Sequence, residues 1–248
     1  MSYIYRKNYE INYYNIDENQ KCTVPSVVNF FTDVGTSQSE FLGETLEVLE
    51  EKKRAWVFYK YDIKIYNYPK YRENVTVETE NVGFKKFYDY KRYAMLNLKG
   101  DVLAEALASF LFIDVEKRRA TRITKDQYDL YNKDGDLAKE IKFDDILKLD
   151  EVQYTKDFSI RYSDIDTNGH VNNCKYIEWA IESVPFEIVK NNNVKRIKVI
   201  FKKETIYGEN ISVFTQVINN DENIVTVHQI VDSNGIELTK LEIEWGRE

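Results

Sequence analysis

The sequence predicts an α+β fold in which one unit occurs twice in tandem: a short strand, a helix, then several antiparallel strands. Three observations lead there: an internal repeat, strand-type alternation rich in aromatic and β-branched residues, and a helix-like stretch at the same place in each copy. The repeat is the most direct. Residues 9–19 read YEINYYNIDEN and residues 158–168 read FSIRYSDIDTN. An offset of 149 pairs Ile11 with Ile160, Tyr13 with Tyr162, Ile16 with Ile165, Asp17 with Asp166 and Asn19 with Asn168. Further on, NVTVET from Asn74 faces NISVFT from Asn210 at an offset of 136, and Gly100 and Phe110 face Gly235 and Trp245 at 135. The drop in offset implies about thirteen extra residues near Glu44–Arg54 of the first copy.

In the first copy, residues 25–43 read as a helix, Glu50–Arg54 as a solvated loop and Asp62–Tyr66 as a strand. In the second, residues 172–190 read as a helix. Asn172 or Asn173 is its N-cap, Ile177, Ile181 and Val184 form its buried face, and Glu178 and Glu182 lie on a solvated face. Val225–Gln229 and Leu241–Trp245 alternate as strands, with His228 on a strand surface. Phe30, Phe31, Trp56, Phe58 and Phe84 are assigned to the core. The boundaries follow: a first unit over 1–124, a charged connector with a short helix over 125–150, and a second unit over 151–248. This is the layout of a dimer fused into one chain.

Composition narrows the function classes. The chain has 248 residues, a net charge of −7 and 31% charged residues. A polyanion therefore gains no general electrostatic help. The stretch Tyr88–Tyr93 has the aromatic and basic content of an RNA-stacking surface, but its alternation and the acidic chain argue for a strand. Cys22 and Cys174 fit no metal or disulfide spacing, which favours a reducing compartment. The opening residues MSYIYRKNYEINYY have no apolar core of a signal peptide, and no run is long enough to span a bilayer. The expected location is cytoplasmic.

The chemistry concentrates in Arg161–Tyr176. Asp166, Asn168 and His170 recur at spacing two, so in an extended segment they point to one side, just ahead of the helix cap. A carboxylate, an amide and an imidazole beside a helix N-terminus suit acyl transfer: one group activates water or attacks, and the others stabilise the oxyanion. The first copy keeps Asp17 and Asn19 but has Lys21 at the position of His170. Asp166 and Asn168 taken alone would read as turn formers before a helix.

This segment resembles the acyl-acyl-carrier-protein thioesterase family of plants and bacteria, whose members are double hot-dog proteins. The family pattern D-x-N-x-H-V-N-N is met by Asp166, Asn168, His170, Val171, Asn172 and Asn173, with Tyr176 following. Ala55–Phe58, Tyr68-Pro69, Val77–Thr79, Phe112–Asp114 and Arg118-Arg119 look like the family's N-terminal half. Phe201–Glu204 looks like its second catalytic segment. The resemblance implies a double hot-dog α+β fold and hydrolysis of fatty acyl-ACP thioesters to free fatty acid. It makes Asp166 the base or nucleophile, His170 its proton partner, Asn168 the group that orients the thioester, and Glu204 the group that positions water or tunes the acid–base pair. The family's Cys position is Thr205 here, which argues against a cysteine nucleophile. At the 136 offset Glu204 faces Tyr68. One active site is therefore expected, with the first unit free to shape the acyl pocket. No metal or organic cofactor is implied. The expected partner is acyl carrier protein, and Lys85, Lys86, Arg118, Arg119, Arg122, Lys202 and Lys203 are candidates for docking it. Nucleic acid and membrane are not expected partners, and the chain would be a monomer or homodimer. The alternatives are an acyl-CoA thioesterase, a hot-dog 3-hydroxyacyl thioester dehydratase and a non-catalytic acyl-thioester sensor.

Overall fold

The structure is a computed structural model and describes residues 3–131, 137–220 and 223–247. The chain divides into two units, Met1–Phe143 and Asp144–Glu248. In the first unit, β1 (Tyr5–Glu10) leads through a 3-10 turn at Tyr13–Asn15 into α1 (Val24–Phe41) and α2 (Leu46–Glu51). There follow β2 (Arg54–Ile65), β3 (Asn74–Lys85), β4 (Tyr88–Asn97), β5 (Val102–Asp114), the short β6 (Arg119–Ala120) and α3 (Lys125–Tyr131). The strands are antiparallel in the order β1-β3-β4-β5-β2, with β6 added to β5. In the second unit, β7 (Tyr154–Ser159) leads through a 3-10 turn at Tyr162–Asp164 into α4 (Asn173–Glu182) and α5 (Phe186–Asn191). Then come β8 (Asn193–Phe201), β9 (Asn210–Asn220), β10 (Asn223–Asp232) and β11 (Glu237–Gly246), in the sheet order β7-β9-β10-β11-β8. The two orders are the same when the strands are matched in sequence. Each unit is a hot-dog fold, an antiparallel sheet around a helix.

The repeat extends to single hydrogen bonds. Asn97 Oδ1 accepts from the N–H groups of Lys99 and Asp101, and Asp232 Oδ1 accepts from those of Asn234 and Ile236. Gly100 and Gly235 complete these turns at φ +88° and +76°, where a side chain would be strained. Cys22 N–H donates to Pro69 O at 2.8 Å, and its counterpart Val171 N–H donates to Thr205 O at 3.0 Å. In each unit a six-residue helix, α2 or α5, follows the first helix, and the extra residues of the first unit lie mainly in that first helix, 18 residues in α1 against 10 in α4.

Four expectations change. Glu50–Arg54, read as a solvated loop, ends α2 and begins β2. The helix read over 172–190 is two helices: Pro185 lacks an N–H and disfavours helical backbone before it, so α4 stops at Glu182 and α5 starts after the proline. Within the stretch read as a connector, Gln127, Tyr131 and Leu137 are buried, and Tyr131 and Leu137 cluster with Phe84 of the first unit. Residues 132–136 of that stretch lie outside the described residues. His228 is not on a surface. It is 1% exposed, because β10 is the central strand of its sheet and Thr226 and Val227 beside it are buried as well. Its Nδ1 meets Thr215 Oγ1 at 2.9 Å and Ser183 Oγ at 3.3 Å. Its Nε2 meets Thr226 Oγ1 at 2.8 Å, which also accepts from Trp245 Nε1.

Burial lowers the His228 pKa to about 3. The unfolded chain takes up this proton below pH 6.5 and the folded chain does not until about pH 3, so the stability is present above pH 6.5 and is lost as pH falls through that window. From pH 7 to pH 5 this group alone is expected to remove about 2 kcal/mol. Urea unfolding of His228→Gln beside the unsubstituted chain checks it: a shallower loss on acidification is expected, and an equal loss counts against it.

The first unit holds a buried ionic cluster. Glu44, between α1 and α2, accepts hydrogen bonds from Trp56 Nε1 (3.0 Å), Gln127 Nε2 and the Tyr131 hydroxyl. Asp89 accepts two from Asn81 Nδ2, at 2.8 and 2.9 Å. Lys91 Nζ lies 5.1 Å from the Tyr131 ring centre and 3.5 Å from Ser39 Oγ. Glu44, Asp89 and Lys91 are each at most 6% exposed. Burial raises the pKa of both carboxyls, Asp89 to about 7, and lowers that of Lys91, while the opposite charges of the cluster resist each shift. Among the described residues, no helix is long and apolar enough to cross a membrane.

Candidate active site

The loop from Tyr162 to Val171 is built by its own polar residues. Arg161 N–H donates to Asp164 Oδ2 at 2.9 Å, and the Arg161 guanidinium holds the same carboxylate at 2.9 and 3.1 Å. Burial opposes that charge, but these hydrogen bonds outweigh it and keep the Asp164 carboxyl below its usual range. Asp166 Oδ1 then accepts from Asn168 N–H (2.8 Å) and His170 N–H (3.4 Å), while Asp166 N–H donates to His170 O at 2.8 Å. Gly169 turns the chain at φ +77°. Asn172 caps α4 by accepting from Cys174 N–H at 2.9 Å.

The first unit repeats this construction. Asn12 N–H donates to Asn15 Oδ1, Asp17 Oδ1 accepts from the N–H groups of Asn19 (2.8 Å) and Lys21 (3.0 Å), and Gln20 takes the left-handed turn at φ +60°. Asp166 therefore shapes its loop as Asp17 does, and this part of its role needs no chemistry.

The two loops differ in what they carry. In the second unit His170 Nε2 lies 3.2 Å from Glu204 Oε2, with the side chains 38% and 46% exposed, so solvent or a substrate reaches both. The backbone step that aligns them is the Val171-to-Thr205 hydrogen bond, together with Ile160 N–H to Glu209 O at 3.0 Å. Asn168 is exposed on the same loop. In the first unit Lys21 and Tyr68 occupy the equivalent positions. An imidazole against a carboxylate is a standard base pair for removing a proton from water, with the carboxylate orienting the ring.

Two neighbours carry no role in the sequence reading. Tyr176 is 2% exposed and is wedged edge-on against Trp179 and Phe201. Arg161–Asp164 holds the loop entrance. Only the position of Asp164 opposite Asn15 in the repeat marks it in the sequence. Cys174 is 3% exposed, and burial beside Glu178 raises its thiol to about 12, so it is not poised as a nucleophile.

Residues 2–131 match the acyl-ACP thioesterase N-terminal domain, and residues 147–247 match the acyl-ACP thioesterase C-terminal domain. Over 252 aligned residues the chain is 24% identical to the chloroplastic oleoyl-acyl carrier protein thioesterase of Coriandrum sativum, an alignment that covers 93% of this chain. The chain spans 67% of that relative's length and 60% of the length of a second chloroplastic oleoyl-acyl carrier protein thioesterase, from Arabidopsis thaliana. In fold it is similar to the 12:0-ACP thioesterase from Umbellularia californica, with a TM-score of 0.86, 20% identity, and 99% of this chain and 94% of that one covered. It is similar also to an acyl-ACP thioesterase from Bacteroides thetaiotaomicron, with a TM-score of 0.84, 19% identity, and 98% and 97% covered. The chain belongs to the acyl-ACP thioesterase family, a family of thioester hydrolases.

Proposed function

We propose that the protein hydrolyses fatty acyl thioesters carried on acyl carrier protein, at one site in the second unit. The observation that carries this reading is the His170–Glu204 pair at 3.2 Å, set on a loop whose geometry the first unit repeats without either group. Family membership supports the substrate class. Water is the nucleophile: His170, oriented by Glu204, takes its proton as the oxygen attacks the thioester carbonyl. The C–S bond then breaks, the carrier thiolate takes the proton held by His170, and the fatty acid releases its own proton to solvent and leaves as its carboxylate. Asn168 polarises the carbonyl. Asp166 fixes the loop that carries Asn168 and His170 by accepting from both of their N–H groups. The first unit, with Lys21 and Tyr68, shapes the acyl pocket rather than reacting.

The test is thiol release from a panel of acyl-carrier-protein and coenzyme A thioesters, with 3-hydroxyacyl thioesters included and products identified by mass. The expected outcome is free fatty acid from the saturated or unsaturated acyl-carrier-protein thioesters. Formation of enoyl thioester without thiol release would move the reading to dehydration. Inactivity across the panel would remove the hydrolase reading.

A further inference from the structure

The structure sorts the cations that the sequence offered for docking. Lys202 and Lys203 are bound to Glu237 and Asp232 on their own unit. Lys85, Lys86, Arg118, Arg119 and Arg122, together with Lys125, make no ion pair with any described residue. These six cations lie on three segments of the first unit: the β3–β4 turn, the β5–β6 turn and the entry to α3. The segments are tied together, because Ile123 N–H donates to Lys86 O at 3.0 Å and the backbone of β6 is in antiparallel register with β5, Arg119 opposite Asp114. Residues 85–86 and 115–125 hold seven cations and one carboxylate, Glu116, in a chain whose net charge is −7. Between them lies a hollow of about 520 Å³ with Lys86, Arg122 and Lys125 at its margin and Phe84, Ile123 and Tyr128 in its lining.

We infer that this face of the first unit docks an acidic protein surface, and that the partner is the carrier that delivers the acyl group. The inference rests on the proposed function for the identity of the partner. Six exposed cations spread over three segments do not converge on a small anion. They give a broad positive field that steers and registers an acidic macromolecule. The apolar residues of the hollow are recessed, with Phe84 only 4% exposed, whereas a membrane-binding face inserts protruding apolar side chains. Lys86 and Arg118 sit at the left-handed positions of their turns, φ +55° and +49°, and so hold their cations at the tips of both hairpins.

The experiment compares the full chain with Arg118→Glu/Arg119→Glu/Arg122→Glu and, against a folding defect, the milder Arg118→Gln/Arg119→Gln/Arg122→Gln. Melting curves accompany both. Hydrolysis is measured on acyl-carrier-protein thioester and on the acyl-pantetheine thioester, which lacks the protein. For the charge reversal, KM for the carrier substrate is expected to rise about tenfold with kcat within about twofold, the salt dependence of KM to flatten, and acyl-pantetheine hydrolysis to stay unchanged. Unchanged KM and salt dependence overturn the inference. An equal loss on both substrates overturns it too. Fluorescence anisotropy with labelled holo-carrier protein reads the surface without turnover. Binding at low salt that the charge reversal removes supports docking even where no thioester is cleaved, a result that would sink only the hydrolase reading. Absence of carrier binding, with the same substitutions instead abolishing binding to anionic vesicles, reassigns the face to a membrane and overturns the proposal.

Discussion

Replacing Lys91 with methionine is expected to lower the free energy of unfolding at pH 8 by about 3–5 kcal/mol. Methionine keeps the unbranched stem, so little packing is lost. What goes is the cation that acts on both Asp89 and Glu44, two carboxyls at most 3% exposed. Asn81 on Asp89, and Trp56, Gln127 and Tyr131 on Glu44, satisfy hydrogen bonds but do not neutralise charge. Removing one member of a buried ionic set costs more than the set itself contributes, because the survivors are left charged and desolvated. The pH dependence gives the signature. The folded-state pKa of Asp89 is already raised, so its contribution is present at low pH and lost as pH rises through about 7. Without Lys91 that folded value rises further, and the deficit of the variant should narrow as pH falls from 8 to 6. Urea unfolding at both values checks this. Equal stability at pH 8, or a deficit that widens on acidification, contradicts the assignment.

The parts of the fold legible in the sequence are those written locally. The repeat could be read because turn residues such as Asp17 and Asp166, or Gly100 and Gly235, must recur wherever the same turn is built. The helix over α1 could be read from its periodicity and its start at Pro25. The buried cluster could not. Asp89 and Lys91 alternate within Tyr88–Tyr93 as solvated residues of a strand would, and their partner Glu44 lies more than forty positions away. Nor could the burial of His228, since alternation identifies two strand faces without saying that both are covered. That depends on β10 lying in the middle of the sheet. At the candidate site, Asp166, Asn168 and His170 stand on one short loop and were found together. Glu204 lies three residues beyond the end of β8, and only the resemblance marks it in the sequence. Tyr176 follows the motif in the sequence, but its burial against Trp179 and Phe201 shows only in the folded chain.

The largest expected effect on activity is at His170. His170→Ala should lower kcat/KM for acyl-carrier-protein hydrolysis by about 10²–10⁴-fold, the usual range for a general base. The melting temperature should hold, since the ring is 38% exposed and the loop is maintained by Asp166 and the backbone. Glu204→Gln removes the carboxylate that orients the same ring and should cost less, because the imidazole can still accept a proton. The most direct test of the account is kcat/KM for the double substitution His170→Ala/Glu204→Gln beside the two single ones. If the pair works as a unit, the double variant is no slower than His170→Ala alone, since Glu204 has nothing left to orient. Losses that multiply, or hydrolysis that survives in all three variants, would place the chemistry elsewhere in the protein.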